Sequence, residues 1–376
     1  MAFDTLEVRV SLQKLLIALV VIIVPLNFIG LYLTSQSVTS LEQSIGTHFK
    51  AIAQADGAAA LQFVNDRVID VGSIAVEPTV VDSVVRANRS YERMSDAAAS
   101  AKIGEIENGW ETPKADALVS TMLSSPASRF LGSLRKTDPR ILKVVVADEF
   151  GVPVAATDKP LHYAPVDKAY WQAVSAQGKG TVYVSEVLYD EQSGANYIGI
   201  GFPVYDESSK RFIGAVNALV DVSSLFLHFD QTQMGRTWRT AVVKDDGTVI
   251  SAPNVGPSMQ LKSEEYMAVR DALGTVQGRQ AGYVVTTGRG GSQIVGFADT
   301  GLKQTYPNLA WFVIVSQDGR EVLAPVRTVG YFAILMVLVG LLMVTLLAAY
   351  FYLHRRQQLA DIETPLDQEL PNNRAA

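Results

Sequence analysis

Three runs rich in Val, Ile, Tyr and Phe follow one another in the middle of the chain: Tyr183–Leu188, Asn196–Tyr205 and Phe212–Val220. These residue types suit a pleated surface. The segments between them, Asp190-Glu191-Gln192-Ser193-Gly194 and Asp206-Glu207-Ser208-Ser209-Lys210, are turn chemistry. The pattern predicts an antiparallel meander. It stops at Asp221, where Asp221-Val222-Ser223-Ser224-Leu225-Phe226 reads as a helix start.

Two other stretches have no polar alternation at all. Leu15–Leu33 and Val329–Leu353 are uncharged and almost wholly apolar, and a run of ~20 such residues crosses a bilayer core. A cleaved signal would have a shorter apolar region and a small-residue site after it. Leu33-Thr34-Ser35-Gln36 is no such site, so the first run is expected to stay as an anchor. Tyr331, Phe332, Tyr350, Phe351 and Tyr352 sit near the ends of the second run, as in an aromatic belt. Arg9 and Lys14 precede the first span and His354-Arg355-Arg356 follow the second. Basic flanks of this kind stay in the cytoplasm. The expected organisation is a cytoplasmic N-terminus over 1–14, a span over 15–34, an outer domain over 35–326, a second span over 329–353 and a cytoplasmic tail over 354–376.

Helical spacing governs the start of the outer domain. Ile45, Phe49, Ile52 and Ala53, then Leu61, Val64, Val68 and Val71, predict a stalk helix that reaches about Arg93 and is broken or kinked at Pro78. Ser90–Ala115 is polar, with helix formers at Ala97–Ala101 and a loop at Asn108-Gly109, and Ala117–Leu134 reads as a second helical stretch. Leu142–Ala147 and Val152–Ala156 are strands around the turn Asp148-Glu149-Phe150-Gly151. This pair has an echo downstream: Ile141–Val152 resembles Trp238–Thr248, Tyr197–Phe202 resembles Gln293–Phe297, and Phe212–Asp221 resembles Trp311–Asp318. One supersecondary design is used twice, with modules at about 135–225 and 236–318. A helix with capping-box spacing is expected from Asp318 through Pro325 toward the second span.

Composition narrows the chemistry. The net charge of −6 gives no basic bias toward nucleic acid. There is no cysteine, which excludes disulfides, thiolate metal sites and a cysteine nucleophile. The four histidines show no metal spacing, and neither a Ser/His/Asp set nor paired carboxylates can be assembled from the sequence. No catalytic residue, metal or cofactor is expected. Gly288-Arg289-Gly290-Gly291 lies between two strand-like runs with no Lys-Ser/Thr behind it, and reads as a hairpin tip rather than a phosphate loop.

The ADEFGVPVAAT hairpin, the APVDKAYWQAV segment, the GFPVYDESSKRFIGAVNALVDVSSL run and the closing NLAWFVIVSQDGREVLAPV together resemble the double Cache sensor domains of bacterial chemoreceptors, sensor histidine kinases and cyclic-dinucleotide enzymes. The resemblance covers about Ser35 to Val326 and both spans. It implies an α+β fold in which a long N-terminal stalk helix supports two PAS-like antiparallel-sheet modules, flanked by two transmembrane helices in a bacterial inner membrane. It also implies that small ligands bind the membrane-distal module. The family's amino-acid pattern falls on Tyr163, Lys168, Tyr170, Trp171 and Asp221, with its further tyrosine at Leu188 or Tyr189, and Tyr183 is one more polar group that could line such a pocket. Lys168 stands where that pattern has an Arg, so the charge is kept but the bidentate fork is not. Lys168 would face an anionic group and Asp221 an ammonium, although Asp221 also reads as a helix cap and Tyr170 and Trp171 as core.

The expected ligand is therefore a small charged molecule: an amino acid, an amine or a carboxylate. Two functions follow, a sensor that transmits across the membrane and an extracytoplasmic binding or scaffold subunit. His354–Ala376 is too short for a kinase, a cyclase or a methyl-accepting coiled coil, so either signalling output is expected from a partner protein in the cytoplasm or the membrane, or the chain is a shortened product. The other expected partners are the lipid bilayer and a second copy of the chain.

Overall fold

A computed structural model describes residues 12–363 except 165–167, 177–179, 191–193, 232–234, 254, 256–260, 276–279 and 289–290. Arg9, most of the Glu191-Gln192-Ser193 turn, the Arg289-Gly290 tip and the tail from residue 364 lie outside the described residues. The chain divides into two units, one of residues 1–45 with 319–376 and one of residues 46–318.

The first unit holds two helices long and apolar enough to cross a membrane. One is the beginning of α1 (Leu12–Ala75) and the other lies in α11 (Ala324–Glu363). They come close at two positions where α11 has no side chain. A Cβ on Gly340 would lie 3.1 Å from Ile23 Cγ2, and one on Gly330 would lie 3.4 Å from Thr34 Cγ2. Small residues at such crossings let helices pack in lipid. The helix expected to run unbroken from Asp318 through Pro325 is two helices, α10 (Gly319–Val322) and α11.

In the second unit the rest of α1 backs two sheets. Its Ala60, Val64, Val68, Val71 and Ile74 form the side of the main core toward the first sheet. Near its start Phe49 meets Trp238 edge-on at 4.9 Å. Pro78 marks the end of the stalk helix: a proline ring is costly in a helix interior but tolerated at the first position, where it opens α2 (Pro78–Arg89). The polar stretch that follows carries its helix formers at Ala97–Ala101 in a helix. Ser95 accepts a hydrogen bond from the Ala98 N–H and caps α3 (Asp96–Asn108), which ends at Gly109. The single helix expected over Ala117–Leu134 is α4 (Asp116–Leu123) and α5 (Pro126–Thr137). Ser125 caps the second of these, and Pro126 lacks the N–H that would continue the first.

The first sheet comprises β1 (Ile141–Asp148), β2 (Pro153–Ala156), β3 (Tyr183–Val184), β4 (Leu188–Asp190), β5 (Ala195–Tyr205) and β6 (Phe212–Asp221). Its order is β2-β1-β6-β5-β3, with β4 also on β5, and every pairing is antiparallel. The run expected as one strand over Tyr183–Leu188 is split. Ser185 turns its hydroxyl onto the Gly199 N–H at 2.8 Å, so a side chain replaces a ladder bond there. Between β2 and β3 lies the short helix α6 (Ala169–Ser175), and α7 (Ser223–Gln231) follows β6.

The second sheet repeats this plan. It holds β7 (Arg239–Lys244), β8 (Val249–Ser251), β9 (Ala281–Gly288), β10 (Gly291–Asp299) and β11 (Trp311–Asp318), in the order β8-β7-β11-β10-β9. α8 (Glu264–Thr275) lies between β8 and β9, and α9 (Leu302–Thr305) between β10 and β11. Gly288 pairs with Gly291, so the described ends of the glycine-rich segment belong to two paired antiparallel strands. Each strand has its counterpart in the first sheet, and the internal repeat read from the sequence is a repeat of topology.

Candidate functional site

Side chains alternate across a strand, so each sheet has two faces. In the first module Val144 and Val146 of β1 and Val216, Ala218 and Val220 of β6 turn into the helical core. Lys143, Val145 and Ala147 of β1, Asn217 and Leu219 of β6 and Tyr197 of β5 turn the other way. They line a cavity of about 260 Å³. That is just below the ~300–1,000 Å³ usual for ligand pockets, so it suits a small molecule.

The connection from β2 to β3 covers this face. Pro160, Leu161 and His162 form one wall, and Lys168 and Tyr170 another. α3 holds the first wall in place. Trp110 donates its indole N–H to the Pro160 carbonyl at 2.8 Å, and Glu107 accepts from the Tyr163 and Ala164 N–H groups at 2.6 and 2.9 Å. His162 lies 3.6 Å from the same carboxylate. The second wall follows from α6, whose Trp171 and Val174 are buried against Ala147 and Ala215 while Tyr170 reaches the cavity.

Of the six site residues named from the sequence, the structure brings Lys168 and Tyr170 to the cavity lining. Tyr163 is buried elsewhere, against Trp110 at 5.0 Å, where it anchors the loop rather than facing the cavity. Trp171 is buried between α6 and the sheet, 6.1 Å from Phe212. Tyr183 packs into the same cluster. Asp221 ends β6 opposite Tyr197 and accepts a hydrogen bond from the Ser223 N–H at 2.7 Å. The four lie outside the described lining.

Sequence reading missed Lys143, Tyr197 and Asn217. Their signal was a period of two inside apolar strands: Lys143 stands between Leu142 and Val144, and Asn217 between Val216 and Ala218. Lys143 and Asn217 are half-buried, and among the described residues neither side chain has a hydrogen-bond or ionic partner. Burial pushes the Tyr170 phenol up to about 12. The Tyr197 phenol also rises, first through burial and then through the nearby Asp190 carboxylate. Both therefore stay neutral hydroxyls at ordinary pH and can donate hydrogen bonds.

A buried acid lies behind the β1–β2 turn. Asp148 is fully buried, and its Oδ1 accepts from the Phe150 and Val152 N–H groups at 2.9 and 3.0 Å. Its Oδ2 has no partner, and burial raises the carboxyl to about 7. Among the described residues no cluster of side chains could hold a metal ion.

No curated protein matches the chain. Among solved structures it is similar to the ligand-binding domain of the Pseudomonas aeruginosa PAO1 amino acid chemoreceptor PctC, in complex with GABA, at 14% identity, with 73% of this chain and 100% of that chain covered and a TM-score of 0.45. It is similar to the ligand-binding domain of the Pseudomonas fluorescens chemoreceptor CtaA, in complex with L-isoleucine, at 13% identity, 76% and 97% coverage and a TM-score of 0.44. The sensory domain of the Campylobacter jejuni chemoreceptor Tlp3, with isoleucine bound, is similar at 11% identity, 76% and 97% coverage and a TM-score of 0.48. A family model for the Cache domain, of the double type, matches residues 37–326. That match covers both sheets and the helices that back them, and the chain belongs to the Cache domain family, as an extracytoplasmic sensing domain between two apolar helices.

Proposed function

We propose that the chain is a two-pass, non-enzymatic sensor of a small charged molecule, with residues 35–326 outside a bacterial inner membrane and both termini in the cytoplasm. The observation that carries this reading is the cavity on the open face of the first sheet. Its lining sets polar groups from three strands, the loop that ends in Lys168 and α6 among aliphatic residues. Few polar groups converging in an apolar cleft are what a ligand site requires. The transmitting element would be α1, which contains the first apolar run and, further along, the residues that pack on the first sheet. A ligand that prefers one arrangement of such a helix shifts its population, typically by ~1–3 kcal/mol.

Thermal unfolding of the full chain in detergent, screened against small organic ions, tests this reading. A ligand at 100 times its dissociation constant stabilises the folded state by ~2.7 kcal/mol. A screen in which no small molecule raises the midpoint would count against sensing. Topology is tested separately. A reporter inserted at Ser208, in the turn between β5 and β6, is expected to be active outside the cytoplasm and one fused after Ala376 inside it. Activity of both on one side would sink the two-pass arrangement.

A further inference from the structure

The cavity in the first module has a composition that selects a class of ligand. Its described polar residues are Lys143, His162, Lys168, Tyr170, Tyr197 and Asn217. All six can donate a hydrogen bond, and none is an acid. Lys143 is the decisive one. It sits on β1 opposite Leu219, in the floor of the cavity, half-buried, and among the described residues no carboxylate lies within ion-pair distance of it. Asn217, on the neighbouring strand, is likewise without a side-chain partner among the described residues. Neither polar group is a buried orphan: both stay accessible from the open cavity, where an entering ligand can take the place of water on them.

The acids near the cavity do not complete them. Glu107 lies behind His162 and is engaged by the Tyr163 and Ala164 N–H groups. Asp190 acts on Tyr197 from outside the lining. Asp221 is bonded to the Ser223 N–H and also lies outside the lining. Among the described lining residues, an ammonium group entering the cavity would meet Lys143 and Lys168, with an amide oxygen, two phenol oxygens and a His162 ring nitrogen as side-chain acceptors and no carboxylate. A carboxylate would meet the Lys143 ammonium and the Asn217 amide, with two neutral phenols as further donors. Charge-assisted bonds of this kind are about twice as strong as neutral ones. Like charges in such a site reject the wrong ligand. The remaining lining, Val145, Pro153 and Leu219 among it, takes a short apolar stem.

We infer that the first module binds a small organic acid that carries no ammonium group, and that Lys143 is its anion contact and the determinant of that specificity. This rests on the sensing role proposed above for the same cavity. The probes are three matched sets at equal ionic strength: propionate and succinate, alanine and aspartate, propylamine and putrescine. Thermal unfolding of the full chain in detergent is the readout. Propionate or succinate is expected to raise the midpoint, its amino counterpart to do so less, and the amines not at all. Lys143→Met is expected to weaken the responding acid by about tenfold or more, the worth of one charged hydrogen bond. Lys143→Arg, which keeps the charge, is expected to retain most of the response. Asn217→Leu serves as a second lesion should Lys143→Met fail to fold, and is expected to weaken the same acid. A shift with amino acids or amines but not with the acids would overturn the inference and leave the sensing role standing. An undiminished acid response in Lys143→Met would also overturn it. Silence across all three sets would overturn the inference together with the sensing role.

Discussion

The two sheets share a strand order, but their open faces differ in charge. In the first, Lys143 on the leading strand lies opposite Leu219 on the last one, and the described lining has cations and no acid. In the second, Arg239 on the equivalent strand lies opposite Ser316, and the groove beside it includes Glu264 and Glu265 from α8 and Asp318 from the end of β11. That groove is also larger, about 790 Å³ against 260 Å³. Topology fixed where each face would be and which strand would put a basic residue on it. The connection laid across each face decided what else is there. In the first module that connection brings Pro160, Leu161 and Tyr170, and in the second it brings two carboxylates. The shared topology therefore says where a ligand would sit, and the side chains decide which ligand.

The largest expected effect breaks one module at a time. At Gly214 the strand β6 passes so near β1 that a Cβ would collide with the Ala147 carbonyl oxygen. At Gly296 the strand β10 passes so near α1 that a Cβ would lie 2.5 Å from the Phe49 carbonyl carbon. Backbone atoms cannot swing aside as a flexible side chain can, so Gly214→Ala and Gly296→Ala should each cost ~1–3 kcal/mol or more. Hydrogen exchange on the full chain is expected to place the loss in the first sheet for Gly214→Ala and in the second for Gly296→Ala. Equal loss of protection in both sheets from either variant would show that the modules open as one cooperative unit.

The next effect separates the modules by pH. Asp148 belongs to the first module only, and its carboxyl is raised by burial to about 7. An acid raised on folding holds a proton that the unfolded chain has lost. Stability then falls as pH rises from the ordinary carboxylate range to about 7, and is level above it. The full loss is on the order of 4 kcal/mol. Asp56 in α1, buried beside His228 and also raised by burial, adds to the same slope. The second module carries the opposite case in Asp246, whose carboxyl Lys262 and Thr248 hold well below the usual range. Its contribution is present above the ordinary carboxylate value and lost only at lower pH. Asp148→Asn keeps an oxygen for the Phe150 and Val152 N–H groups and removes the titration. Denaturant midpoints at pH 5 and pH 8 are expected to differ less in Asp148→Asn than in the parent chain. An unchanged difference would mean that Asp148 keeps an ordinary acidity.

These contrasts mark how much could be read before the fold was known. The strands, the repeat, the break at Pro78 and the change of structure after Asp221 all follow from local pattern, because alternation and turn chemistry act over a few residues. The cavity was legible only in part. Lys168 and Tyr170 came from the pattern of a known family, but Tyr163 and Trp171 are aromatic residues that pack, and one sequence cannot tell a wall from an anchor. Lys143 and Asn217 were visible as polar residues in apolar strands. Their meaning depended on which face each strand turns outward, which is set by pairings such as Lys143 with Leu219 and Val145 with Asn217. Those partners lie more than seventy residues apart.

The smallest expected effect concerns Asp221, which pattern placed at the ammonium end of a ligand and which the fold places at the end of β6. Its Oδ1 accepts from the Ser223 N–H at 2.7 Å, the bond that starts α7. Asn offers the same oxygen and caps about as well as Asp, whereas Ala offers none and costs ~1 kcal/mol. Asp221→Asn is therefore expected to unfold at the parent's midpoint and Asp221→Ala below it. With the cavity as described, Asp221→Asn should also respond to propionate or succinate as the parent does, because removing a carboxylate outside the lining takes nothing from an anion. An acid bound more tightly by Asp221→Asn would show that the Asp221 charge reaches the ligand from beyond the lining and weakens it. An amino acid that shifts the parent but not Asp221→Asn would return Asp221 to the site as the partner of an ammonium group. The charge contrast between the two modules would then narrow to a difference in size.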